Sequence, residues 1–121
     1  MSDNKDSIAK AELLADNLRT LAMDYQAVVR STRRSDAEGK AARNSLDRKF
    51  LKLQSREVIS RLREDGLAEV ADKLDDLFGA AAMIFNLVAV SIGVDEAEVL
   101  DIDIDGPYAT AIETLGREAR N

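Results

Sequence analysis

Three acidic residues at alternate positions, Asp101, Asp103 and Asp105, run directly into Gly106. That is the order of oxygen ligands and sharp-turn glycine that opens a calcium-binding loop. A complete loop needs an acidic ligand at its twelfth position; here that place is Ile112, and Glu113 comes one residue late. Ile102 and Ile104 between the acids also make a period-two alternation, which suits a short strand or extended segment with one acidic face. Asp105 has a further use, capping the helix that Pro107 opens. The spacing makes Asp101, Asp103 and Asp105 candidate metal ligands with an ordinary structural explanation beside them.

A second acidic group, Glu69, Asp72, Asp75 and Asp76, falls at helical spacings of three and four. Carboxylates so placed can share a magnesium ion in a metal-dependent hydrolase. They also lie opposite the stripe Leu67, Val70 and Leu74, where a solvated helix face carries acids in any case. With no His and no Cys in the chain, imidazole and thiolate metal sites, cysteine nucleophiles and the commonest general base are all excluded. Tyr25, Tyr108 and the serines have no spacing that marks them for catalysis, and there is no glycine-rich phosphate loop or nucleophile elbow. The reading favours a non-enzymatic protein that requires no cofactor.

The most distinctive chemistry is the distribution of charge. The net charge is −6, yet residues 30–63 hold eleven basic and four acidic side chains, while residues 64–121 hold three basic and fourteen acidic. Arg30, Arg33, Arg34, Lys40, Arg43, Arg48, Lys52 and Arg56 are the candidate contacts for a phosphorylated ligand or an acidic protein surface, since guanidinium groups fork onto oxyanions. The competing explanation is internal: the basic segment lies against acidic helices of its own chain or of a second subunit, and the fields cancel. Duplex DNA is disfavoured by the overall acidity and by a single aromatic, Phe50, in the basic stretch.

These groups must be held by helices. A chain of 121 residues, 45% apolar, with one Pro and six Gly, has the size of one domain and few breaks. From Ile8 to Arg30, Leu14, Leu18, Leu21, Tyr25 and Val28 recur at spacings of three and four, giving one apolar face. That seam either packs inside its own bundle or pairs with a second copy. Residues 31–44 contain no large apolar residue and include Gly39, which predicts a polar loop or a solvated helix extension. Ser45 to Asp65 reads as one helix with two apolar faces and a basic strip, stopped by Gly66. Leu67 to Phe78 reads as another, followed by an apolar core helix over 80–92.

That apolar run is short for a bilayer and flanked by acids, so no membrane span is expected. Asp95 and Glu98 form a capping box, with Val94 and Val99 as a staple around it. The N-terminal segment is polar and acidic, unlike a secretory signal, so a cytoplasmic location is expected.

The expectation is an all-α bundle of four or five helices in a single domain, 1–121, with at most one short extended segment near residues 100–105. A homodimer through the Leu14–Val28 seam is expected. The function expected is that of an adaptor or inhibitor of a cellular target, and the Arg- and Ala-rich composition suits a bacterial or phage accessory protein. Binding of a phosphorylated ligand through residues 30–63 is the alternative, and a carboxylate–metal enzyme the second alternative.

Overall fold

The computed structural model describes residues 2–31, 37–90 and 100–120, with side chains described over 5–30, 37–85 and 100–120. Among these residues there are five helices: α1 (Ser2–Ser31), α2 (Ala37–Lys52), α3 (Ser55–Glu64), α4 (Ala68–Val90) and α5 (Asp105–Arg120). No strand occurs among the described residues, so the chain is a helical bundle as its periodicity predicts. Helices α1, α4 and α5 pack mutually, α2 lies against α1, and α3 sits on α1 and α4. The long α1 therefore touches every other helix. No helix of the described residues is long and apolar enough to cross a membrane.

The α1 stripe faces inward. Leu14, Leu18, Leu21 and Tyr25 are buried, with Ala11, Ala15 and Ala22 fully covered beside them, and Val28 packs against the same core half-buried. Those side chains are therefore used by the protein's own core, the first of the two uses the seam allows. Alanines at one edge of the stripe leave little bulk, so neighbouring helices can approach closely and the narrow face still fills.

One expectation is narrowed and two are corrected. The polar segment 31–44 is not a loop throughout, because α1 reaches Ser31 and α2 begins at Ala37, so the helix extension rather than the loop describes it from Ala37 onward. Gly39, Arg43 and Leu46 form the buried stripe of α2 at positions i, i+4 and i+7. The helical period is present there, carried by a glycine and an arginine in place of large apolar residues. Arg33 and Arg34 lie outside the described residues.

The single helix over 45–65 is two helices, broken at Leu53 and Gln54. The two helices expected over 67–78 and 80–92 are one, since Gly79 sits exposed within α4 with open space around it. The capping box at Asp95 and Glu98 lies outside the described residues.

Gly66 stops α3 as expected, at φ 81°. The amide of Leu67 donates to the carbonyl of Leu62 at 2.9 Å and that of Gly66 to Arg63 at 3.2 Å. These are the two reverse bonds of a Schellman stop, and its apolar contact is supplied by buried Leu62 and Leu67. Leu67 then accepts from Ala71 at 3.0 Å and starts α4. One glycine thus turns the chain between two helices while both ends keep their hydrogen bonds.

Candidate functional site

Of the seven candidate acids, Asp103, Asp105, Glu69 and Asp72 take structural roles. Leu100 and Asp101 are helical, and residues 102–104 lead into α5 outside any helix or strand, with Ile104 buried and Asp101, Asp103 and Asp105 exposed. The alternation is real, but it serves burial of the isoleucines without strand pairing.

Asp103 Oδ1 accepts from the amides of Asp105 at 3.1 Å and Gly106 at 3.3 Å, so the capping carboxylate is Asp103, and α5 starts two residues before Pro107. A Cβ on Gly106 would lie 2.5 Å from Asp103 Oδ2, so a larger residue there would displace the capping carboxylate. Asp105 instead pairs with Arg19 of α1 at 3.0 Å. Asp103 and Asp105 thus each have a structural partner, and no group of three or more His, Cys, Asp or Glu placed to hold a metal occurs among the described residues.

The start of α5 is latched to α1 by a small polar cluster. Tyr108 donates its hydroxyl hydrogen to Asp16 Oδ1 at 2.6 Å, and the Arg19 guanidinium lies 5.1 Å from the centroid of the Tyr108 ring. The hydrogen bond to the Asp16 carboxylate raises the phenol pKa above its usual value, burial adding to the effect. Gln26 Nε2 donates to the carbonyl of Ile102 at 3.0 Å and ties the segment before α5 to α1.

In α4, Glu69 faces Arg117 at 3.1 Å and Asp72 faces Arg63 at 2.8 Å. Each of these carboxylates meets an arginine of a neighbouring helix. Both pairs are largely exposed and orient helices more than they stabilise them, at about 0–1 kcal/mol each.

The basic segment divides. Arg43 is buried at 6% exposure, and its guanidinium lies near Asp47, whose carboxyl is pushed up by burial and drawn partly back by Arg43. Arg43 thus belongs to the packing of α2, a correction to its candidacy as a surface ligand contact. Arg61 and Arg63 pair with Asp65 and Asp72. Lys40, Arg48, Lys49, Lys52 and Arg56 are exposed and make no ion pair with any described residue. Arg30 is exposed in the last turn of α1. Among the described residues, then, no ion pair neutralises the cations on the outer face of α2 or in the first turn of α3.

At the α2–α3 elbow a cleft of about 260 Å³ opens, lined by Phe50, Leu51, Gln54, Ser55, Arg56, Glu57 and Phe78. Sequence reasoning missed this site, apart from Arg56. Its wall is the outer end of an aromatic run. Phe50 stacks on Phe78 with centroids 5.7 Å apart and on Phe85 at 4.5 Å. Phe85 in turn meets buried Tyr25 at 4.5 Å. Leu51 is 77% exposed beside the cleft. On α1, Leu13 and Leu14 with Leu53 and Val58 line a smaller apolar groove of about 120 Å³.

Comparison with known proteins adds no relative. The chain matches no protein-family model, no curated protein and no solved structure. Functional inference therefore rests on the geometry of the elbow.

That geometry contains two irregularities. Gln54 adopts a left-handed conformation, φ 53° and ψ 43°, where it precedes α3. It is the one non-glycine residue with positive φ among the described residues, and its side chain does not cap the helix. Its carbonyl accepts from Glu57 at 3.0 Å and Val58 at 3.2 Å, which holds the bend.

Ser55 is buried at 6% exposure, and its hydroxyl has no hydrogen-bond partner. A buried hydroxyl so placed costs about 1–3 kcal/mol relative to one that is satisfied. Strain and an unmet polar group thus coincide at one cleft, the pattern expected where a site is kept at some expense in stability. Gln54→Gly is expected to raise the unfolding free energy by about 0.5–1 kcal/mol, relief of the left-handed backbone exceeding the entropy added to the unfolded chain. Urea denaturation followed by circular dichroism checks this; a loss of stability would mean that the Gln54 side chain holds the elbow.

Proposed function

We propose that this protein is a non-enzymatic interaction module that grips an acidic segment of a protein partner at the α2–α3 elbow, with one apolar side chain of that segment seated in the cleft. The reading is that of an adaptor or inhibitor of a cellular target. The observation that carries it is a set of exposed cations, Arg48, Lys49, Lys52 and Arg56, that pair with no acid among the described residues, the last of them lining an apolar cleft. Charge of that kind steers an acidic partner and sets register, while the anchor in a desolvated pocket supplies affinity.

The apolar Phe50–Phe78 wall favours a side-chain anchor over a small phosphorylated ligand. A cleft of about 260 Å³ suits one aromatic or branched aliphatic side chain. Leu51, standing 77% exposed at the rim, extends the apolar contact beyond the pocket. Burial of Arg43 also removes one of the guanidinium groups that a phosphate cluster would use.

The test places a photoreactive amino acid at Leu51 in the full chain, expressed in the cells it comes from, and maps the adducts by mass spectrometry. The expected product is a crosslink to an acidic peptide of another protein, lost when Lys49→Glu and Lys52→Glu are combined. Adducts confined to a second copy of the chain, to nucleic acid, or unchanged by the charge reversal would overturn the reading.

A further inference from the structure

Two large apolar side chains that stand out into solvent lie on helix faces of opposite charge. Leu51 shares the outer face of α2 with Arg48 and Lys52, three residues after one and directly before the other. From Asn44 to Lys52 the exposed residues of α2 include three cations and no acid.

Met83, 55% exposed, is on the outer face of α4. Between 72 and 83 the exposed residues are Asp72, Asp75, Asp76, Gly79 and Met83, at helical spacings of three and four that place them on one face. Asp72 is held by Arg63, but Asp75 and Asp76 pair with no cation among the described residues. Gly79 has open space around it, so another helix can approach closely between the acids and Met83.

The exposed faces of the other helices mix both signs. On α1, Lys10 and Arg30 alternate with Glu12 and Asp24, and on α5 Glu113 lies beside Arg117 and Arg120. Only α2 and α4 present one sign with an exposed apolar side chain. Both faces point outward, so they can meet only between chains, and the chain carries both halves of that contact itself.

We propose that the acidic face of α4 docks on the basic face of α2 of a second copy. Asp75 and Asp76 meet Arg48 and Lys52, and Met83 and Leu51 supply the apolar contact. Two different patches make a head-to-tail contact, so copies add as a ring or an open chain. The inference goes beyond the partner reading above and stands without it. An acidic partner would need the same cations, so self-docking competes with partner binding.

Sedimentation of the purified full chain tests this, from about 10 μM to about 1 mM protein in about 20 mM salt. The weight-average mass is expected to rise with concentration to about twice that of one chain or more, and to fall back to one chain in about 0.5 M salt. Arg48→Glu with Lys52→Glu should hold the mass at one chain, and so should Asp75→Lys with Asp76→Lys. Mixing the two reversed proteins should restore association, because an acidic α2 face then meets a basic α4 face. Each pair of substitutions shifts the net charge of −6 by four, so both variants stay net negative and general attraction cannot account for recovery.

All four positions are exposed, and circular dichroism of each variant verifies its helix content. One-chain mass at every concentration in low salt would overturn the proposal, whatever the variants do. Association that survives either reversal, or a mixture of folded variants that stays at one chain, would overturn it too. These outcomes leave the partner reading intact, since that depends on the acidic peptide captured in cells.

Discussion

Tyr25→Ala is expected to lower the unfolding free energy by about 4 kcal/mol, the range for truncating a fully buried aromatic side chain. Tyr25 is 1% exposed and lies on α1, the helix against which all four others rest. Its ring meets Phe85 of α4 at 4.5 Å, and Phe85 meets Phe50 of α2 at 4.5 Å. Truncation opens a cavity at the junction of three helices, and the surrounding α1 stripe, already close-packed with fully buried alanines, has little bulk to collapse into it. Phe50 loses its backing in the same step, so the elbow cleft should loosen as well.

Urea denaturation monitored by circular dichroism measures the change, with Leu13→Ala as the comparison. Leu13 is 62% exposed, and its truncation should stay within about 0.5 kcal/mol. A Tyr25→Ala loss below about 1.5 kcal/mol would show that the aromatic run is not the support of the bundle.

Leu62→Ala should cost about 3 kcal/mol, with its effect concentrated on one helix. At ten residues, α3 is shorter than the roughly 12–15 residues an isolated helix needs to be even marginally stable. Its order depends on Ile59 and Leu62, its buried apolar residues, and on the Schellman stop in which Leu62 packs with Leu67. Ser7 also donates to Asp65, tying the end of α3 to α1, but one part-buried bond is weak against the loss of Leu62.

Amide hydrogen exchange distinguishes local from global loss. In Leu62→Ala the amides of α3 are expected to lose protection by about a hundredfold more than those of α5, because opening of α3 no longer requires opening of the bundle. Equal loss in both helices would make the elbow part of the global folding unit. Should the cleft be the binding site, a ligand seated there would restore protection to α3 first.

Much of this architecture is legible in the chain. The three-and-four spacing of Leu14, Leu18, Leu21 and Tyr25 determines α1 and its inward face, and Gly66 determines the stop of α3, since left-handed backbone costs a glycine least. Other features were present but carried by residues that periodicity does not count. Gly39, Arg43 and Leu46 keep the helical period of α2, yet two of the three are not apolar. The break at Gln54 was visible as a change of phase, with Leu46, Phe50 and Leu53 on one face and Leu51, Val58 and Leu62 on another. One helix can carry both sets, and so can two helices, and local pattern does not choose between them.

The candidate site was decided by the tertiary structure. Phe78 joins Phe50 across the cleft only because α4 packs beside the elbow, and no local signal links positions so far apart in the chain. Whether a cation is cancelled also depends on a distant acid: Arg63 finds Asp72 and Arg117 finds Glu69, while Lys49 and Lys52 meet none among the described residues. The acidic alternation at 101–105 offered a metal loop, a strand or a cap, and Asp103 became the cap once Ile102 and Ile104 were drawn towards α1 and the core. By itself the sequence determined the helices and their buried faces, because periodicity is a property of neighbouring residues. Packing decided the cleft and the free charge, because both are relations between residues that only the fold brings together.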